Sequence, residues 1–422
     1  MSVKTIVVES LLYRAGAVLI SLILLTVLIY FASSFFGNSI STQAQNVEVA
    51  ELAAAMAPGD SQTHYALGVL RERSFMPEDL PESLKEFERA VALSPSDFRL
   101  WLALGKARER SGDSNGAELA LKEAKRLAPN YSDVQWAYGN VLLRQGKTDA
   151  AFIEIRKAVD SDPKYASPAA TTMWRIYDGD VEKIRKTIGD SHYVNSALAV
   201  FLIRQGNSDE ALEIWNGLPK DKLRTDFLKD SEQLYAQLVT GKKFLNAIKV
   251  HSKISAPGSK TFKVAEIDNG GFEAPVTTRK PSVFEWNIAN GVRPQINISG
   301  AQKKSGRQSL VISFKTTKRS DFRAITQTIA VEGGKDYVFS VAYKSELDTS
   351  ATMKWDIVDT ASNKVLSSTD SLSENSDWNT LTADFSVPEG TEGVQIRLVR
   401  SGCKSAVCPI SGKVWFDDFA IE

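Results

Sequence analysis

Side chains able to do chemistry are few and scattered in this chain. Its three histidines, His64, His192 and His251, lie far apart and form no metal-ligand spacing, so zinc chemistry has no support. There is no nucleophile elbow, no phosphate-cradling loop ending in Gly-Lys-Ser/Thr, and no dinucleotide fingerprint. Glycoside hydrolysis would need two carboxylates flanking one cleft, and no motif marks such a pair. These observations favour a non-catalytic protein. Cys403 and Cys408, with four residues between them, would close a small disulfide in an oxidising compartment, the alternative being two free thiols.

The elements that must position such residues change character along the chain. Its 422 residues predict two or three folded units, and 51 basic against 51 acidic residues give zero net charge. That balance argues against a nucleic-acid binder, and 43% hydrophobic content argues against disorder. From Ala15 to Phe36 no residue is charged, and as a helix the run would measure roughly 33 Å, enough to cross a bilayer. Lys4 and Arg14 precede it, whereas no Lys or Arg follows it until Arg71. The positive-inside rule then keeps residues 1–14 in the cytoplasm, makes 15–36 a transmembrane helix and exports the rest, in a bacterial cell to the periplasmic side of the inner membrane. Residues 37–46 read as a tether. Two alternatives are a signal peptide cleaved near Thr42-Gln43-Ala44 and a buried core helix.

Between residues 61 and 163 the sequence repeats with a period of 34. Gly105 and Gly139, Gly112 and Gly146, Ala117 and Ala151, Ala124 and Ala158, and Pro129 and Pro163 all share it. Phe87, Ala90 and Pro95 extend the register backwards, with three extra residues of the first unit assigned to the turn Pro77–Pro81. Small residues at Gly105 and Ala117 let paired helices approach, and Pro129 ends the second helix. The stretch from Trp101 through Gly105, Gly112, Ala117, Leu121 and Ala124 to Pro129 resembles the tetratricopeptide repeat. The resemblance implies about five helical hairpins over residues 47–255, an all-α solenoid whose concave face binds a protein partner. Carried over position by position, it places Tyr65 and Arg73, Arg99, Lys106 and Arg110, and Trp136, Asn140 and Arg144 on that face. The family's carboxylate clamp is represented only by Asn140 and Lys106. A solvated face that merely keeps the array soluble is the alternative.

Past Ser255-Ala256-Pro257-Gly258 the pattern becomes short alternating runs, among them Ser309–Phe314, Asp336–Tyr343, Met353–Val358, Leu381–Val387, Val394–Val399 and Val414–Ile421. Separated by turns such as Gly333-Gly334, these predict an antiparallel β-sandwich. The ordered landmarks Asn269-Gly270-Gly271-Phe272-Glu273, Trp286, Ser305-Gly306-Arg307, Tyr337, Trp378 and Trp415-Phe416-Asp417-Asp418-Phe419 resemble jelly-roll carbohydrate-binding modules of families four, nine and twenty-two, over residues 262–422. That resemblance implies a structural calcium held by Glu273, Asp417 and Asp418, which otherwise cap strands or pair with Arg307 and Lys413. It also implies aromatic sugar platforms, with Trp286, Phe322, Tyr343 and Trp355 as candidates and Arg323, Gln327 and Asp356 as polar partners. Trp378 and Trp415 are assigned to the core. The chain thus reads as multidomain: a transmembrane helix, a tetratricopeptide-like solenoid for a protein partner and a jelly-roll sandwich for a polysaccharide. It would need no cofactor beyond that calcium.

Overall fold

A computed structural model describes residues 11–422 other than 75, 77, 278, 279, 319, 320, 350, 404 and 405, so Lys4 and Pro77 lie outside the described residues. The chain divides into two compact units, one ending at Val194 and the other beginning at Asn195.

In the first unit, α1 (Leu11–Gln43) is apolar and exposed along most of its length. It does not stop at Phe36. Residues 37–43, expected as a tether, continue the helix, because nothing there breaks it and its inner face has a partner. That partner is α2 (Val47–Met56), with α3 (Ser61–Arg73) beyond it. A side chain at Gly37 would come within 2.7 Å of Ala57 Cβ and 2.9 Å of Ala53 O, so α1 and α2 touch backbone to backbone there. Asn38 Nδ2 donates to Asp60 Oδ2 at 2.7 Å.

The helical pairs follow: α3 with α4 (Asp79–Leu93), α5 (Phe98–Arg110) with α6 (Ser114–Leu127), α7 (Ser132–Arg144) with α8 (Thr148–Ser161), and α9 (Ala166–Tyr177) with α10 (Val181–Ile188). Aspartates start several of them. Asp60, Asp97 and Asp113 each accept from a backbone N–H two or three residues on, satisfying a donor the helix leaves free. Pro81 falls in the first turn of α4 rather than in the preceding turn, since a proline lacks only an N–H that is unpaired there anyway. The period has a steric cause. A Cβ at Gly105 would sit 2.5 Å from Leu121 Cγ, and one at Gly139 2.8 Å from Ile155 Cγ1, so each pair closes on a glycine. Gly112 and Gly146 turn the chain between helices at φ of 86° and 76°.

The chain continues through α11 (His192–Arg204) and α12 (Ser208–Asn216) to α13 (Leu228–Thr240) and α14 (Phe244–Ile254), giving six hairpins among the described residues rather than about five. The degenerate stretch after Pro163 still forms a short pair, α9 and α10.

The second unit combines these last helices with a sandwich of ten strands. They are β1 (Asn287–Ile288), β2 (Gln295–Ser299), β3 (Ser309–Lys318), β4 (Ile325–Ala330), β5 (Asp336–Thr349), β6 (Thr352–Asp359), β7 (Val365–Ser368), β8 (Asn375–Ser386), β9 (Gly393–Ser401) and β10 (Val407–Ile421). One sheet runs β1-β4-β9-β6-β7 and the other β2-β3-β10-β5-β8, with every neighbour antiparallel. Between them lies a core dense in rings, including Phe272, Trp286, Phe339, Trp355, Phe416 and Phe419. In β10 a register shift after Asp417, with Asp418 at φ 49°, lets both Phe416 and Phe419 face inward despite their odd spacing. Cys403 and Cys408 are disulfide-bonded, and Arg400 Nη2 holds that loop by donating to Cys408 O at 2.6 Å and Pro409 O at 3.2 Å.

Candidate functional site

Two of the residues expected along the solenoid's inner face form charge pairs between successive units. Arg110 pairs with Glu72, and Arg144 with Glu109, so a position on α5 bonds back to α3 and one on α7 back to α5. Lys106 stands among Asp133, Arg110, Lys164 and Glu72; loss of water pushes its ammonium down, and the neighbouring cations add to that. Arg99 is tied to Asp97 at its own helix start, Nη2 to Oδ2 at 2.6 Å, while Arg73 is exposed. Tyr65 is half-buried and tilted against Phe87. Asn140 donates one of its two amide N–H groups to Trp136 O at 2.8 Å.

Trp136 is half-buried and stacks on Tyr165, centroids 4.9 Å apart and planes 22° apart. The sequence reading missed Tyr165. Its hydroxyl donates to Asp133, whose carboxyl is pushed up by partial burial but held below the usual range by Lys164, 2.6 Å away, and by that hydroxyl. The signal was present: Tyr131 and Tyr165 are also 34 apart, and Tyr131 packs edge-on against Phe98.

Three of the four expected sugar platforms are in the core. Trp355 alternates inward with Met353 and Ile357, and Tyr343 with Val341 and Phe339, because strand parity sends every second residue to the same face. Trp286 packs on Phe272 and Phe419 and donates its indole N–H to Asn269 O. Phe322 is half-buried and stacks parallel to Phe314. Arg323 donates to Ala289 O and Pro294 O, and Gln327 points inward to donate to Asp268 O. Trp415 is buried but faces away from the core, opposite Val311 and Lys344; Trp378 is only half-buried.

The outward face of the first sheet carries a different arrangement. One lateral row crosses all five strands: Asn287, Thr326, Arg397, Asp356 and Ser368 are register partners in turn. Every member is polar. Asp356 accepts from Ser368 Oγ at 2.8 Å and from Arg397 Nη2 at 3.4 Å, with Lys354 Nζ 3.5 Å away. Arg397 Nε is buried and has no hydrogen-bond partner. Of this row the sequence reading named only Asp356. The next rows toward one end are covered. Val358 is 1% exposed although it points outward, and a Cβ at Gly393 would lie 2.4 Å from the Phe244 ring of α14. Phe244, Phe284 and Phe262 form a continuous aromatic seam there, reinforced by Leu245 N donating to Glu392 Oε2 at 3.1 Å.

The expected calcium ligands gather into a hydrogen-bonded latch. Glu273 Oε1 accepts from Arg307 N at 2.6 Å and Gln308 N at 3.1 Å, and its Oε2 from Arg307 Nε. Asp417 Oδ2 accepts from Lys304 N and Ser305 N, its Oδ1 from Asp418 N, and Asp418 Oδ1 from Ser305 Oγ. The carboxylates thus face N–H and O–H donors, which fits anions bound by backbone better than a cation cage. No metal-holding group of three His, Cys, Asp or Glu occurs among the described residues.

A family model described as a carbohydrate binding domain matches residues 264–401, and a tetratricopeptide repeat model matches residues 77–132 and 110–166. No curated protein matches the chain. Similar solved structures include one titled "CBM4 structure and function", 19% identical over 37% of this chain and 98% of that one, TM-score 0.28. Another is pilF of Pseudomonas aeruginosa, 18% identical over 50% of this chain and 97% of that one, TM-score 0.32. A third is YrrB, titled a TPR protein with an unusual peptide-binding site, 18% identical over 50% and 90%, TM-score 0.29. At such identities and scores these likenesses carry no functional argument.

Proposed function

We propose that this chain is a membrane-anchored, non-catalytic adaptor that binds a protein through its helical repeats and a glycan through the outward face of its first sheet. The observation that carries the glycan reading is the polar row from Asn287 to Ser368, at whose centre the part-exposed Arg397 guanidinium stands beside the Asp356 carboxylate and would offer hydrogen-bond donors to a ligand. Such a row would read hydroxyls at successive positions across the sheet. The protein-binding reading draws on the Trp136–Tyr165 stack beside the charge pairs of α3, α5 and α7.

The anchor reading is supported by the packing of α1. Cleavage near Ala44 would strip α2 of the helix that covers Ala53 and Ala57, and would remove the Asn38–Asp60 bond. An uncleaved α1, oriented by Arg14, would hold both modules outside the cytoplasm, and tethering them together raises their effective concentration near an envelope or polysaccharide-assembly site.

Affinity electrophoresis of the intact, detergent-solubilised protein through gels of different polysaccharides tests the glycan reading. Retention by at least one polymer, lost in Arg397→Ala and Asp356→Ala, is the expected outcome. One observation favours a second reading, a protein scaffold whose sandwich has no sugar site: the outward positions of β4, β6 and β9 carry no aromatic ring. Retention by no polymer, with or without calcium, would favour that scaffold.

A further inference from the structure

The way α1 meets α2 and α3 fixes more than an attachment point. Because α2 doubles back along α1, the turn between α2 and α3 is carried down toward the middle of the apolar helix. Gly59 lies within reach of the Tyr30 side chain, whose hydroxyl would be 3.3 Å from a Cβ there, while Ala53 and Ala57 sit beside Gly37 and Asp60 beside Asn38. Tyr30 to Asn38 spans roughly 12 Å of helix at about 1.5 Å per residue. The apolar run ends only at Phe36, so its last six residues run alongside a turn of the folded array.

Both cannot be surrounded by hydrocarbon, since Asp60 caps α3 with a charged carboxylate. The conflict resolves if the outer boundary of the hydrocarbon lies near Tyr30. From Leu11 to Tyr30 the helix measures roughly 30 Å, the thickness of a typical hydrocarbon core, with Arg14 extending its long side chain to the inner surface. Tyr30, Phe31, Phe35 and Phe36, each more than half exposed, then stand in the headgroup layer, where aromatic rings collect. The turn suits that layer as well. Two of its carbonyls are already bonded, Ala57 O by Thr63 Oγ1 at 3.0 Å and Pro58 O by His64 Nε2 at 3.1 Å, which lessens its need of water.

We propose that the turn Ala57–Asp60 and the Phe31–Phe36 segment of α1 rest together in the lipid headgroup layer, seating the first helical pair directly on the bilayer. This rests on the anchor reading, and the test separates the two. Full-length protein bearing one free cysteine, at Leu24, Pro58 or Leu119, is labelled with an environment-sensitive fluorophore, the Cys403–Cys408 bond being left oxidised. It is reconstituted into phosphatidylcholine/phosphatidylglycerol vesicles, with Met56→Cys as a second reporter should Pro58→Cys disturb the turn. The label at 24 is expected to be quenched by acyl-chain spin labels. The labels at 58 and 56 should be quenched by headgroup spin labels and blue-shifted on reconstitution, and the label at 119 by aqueous iodide. Labels at 58 and 56 that behave like the one at 119, with 24 deep in the chains, would overturn the seating. A label at 24 open to iodide would overturn the anchor reading itself.

Discussion

Glu273 and Asp417 show how neighbouring carboxylates in one latch respond to pH with opposite sign. Backbone N–H donation from Arg307, with Gln308 and the Arg307 guanidinium adding to it, holds the Glu273 carboxyl below the usual range. Burial pushes the Asp417 carboxyl up, against the N–H donors that bond it. A lowered folded pKa contributes stability above the ordinary glutamate range and loses it as pH falls through the lowered value; a raised one has the reverse effect. Acidification should therefore loosen the loop bonded by Glu273, and the hydrogen-exchange protection factors of Arg307 N and Gln308 N, corrected for the intrinsic rate at each pH, should fall below the ordinary glutamate pKa. Glu273→Gln should flatten that profile. Residue roles on this sandwich were only half legible in the sequence. The alternation of Met353, Trp355 and Ile357 with Lys354 and Asp356 carries the signal that Trp355 faces the core, whereas the resemblance implies a sugar platform there and says nothing of the polar positions between the rings.

At the scale of elements, close approach sets the geometry, and substitutions at contact glycines should report it. Gly105→Val would press on Leu121; overpacking costs about 1–3 kcal/mol, well beyond the roughly 0.3 kcal/mol that valine gains over glycine in a helix. The urea midpoint should drop with an unchanged slope. Gly37→Leu should prise α1 from α2, with a similar loss in detergent and faster proteolysis in residues 37–60. The helical pairs were legible because this contact recurs every 34 residues. The helical course of residues 37–43 was not, since Gly37 and Ser41 are polar or small and their reason for being helical is the face of a different helix.

On the molecular scale, the boundary between compact units at Val194 and Asn195 joins the last helices to the sandwich. No local pattern announces this, because the contact links Phe244 to Gly393 across nearly 150 residues. Phe244 is 4% exposed, and truncating a buried phenylalanine costs about 3–5 kcal/mol, so Phe244→Ala should lower the melting temperature of the sandwich as well as of α14. A fragment beginning at residue 262 should unfold earlier in differential scanning calorimetry than one beginning at residue 195. The seam has a practical corollary for anyone who would graft this sandwich onto another carrier: α13 and α14 must travel with it as part of the same cassette, because a junction cut between Ile254 and Phe262 would leave Phe262 and Phe284 as a sticky edge.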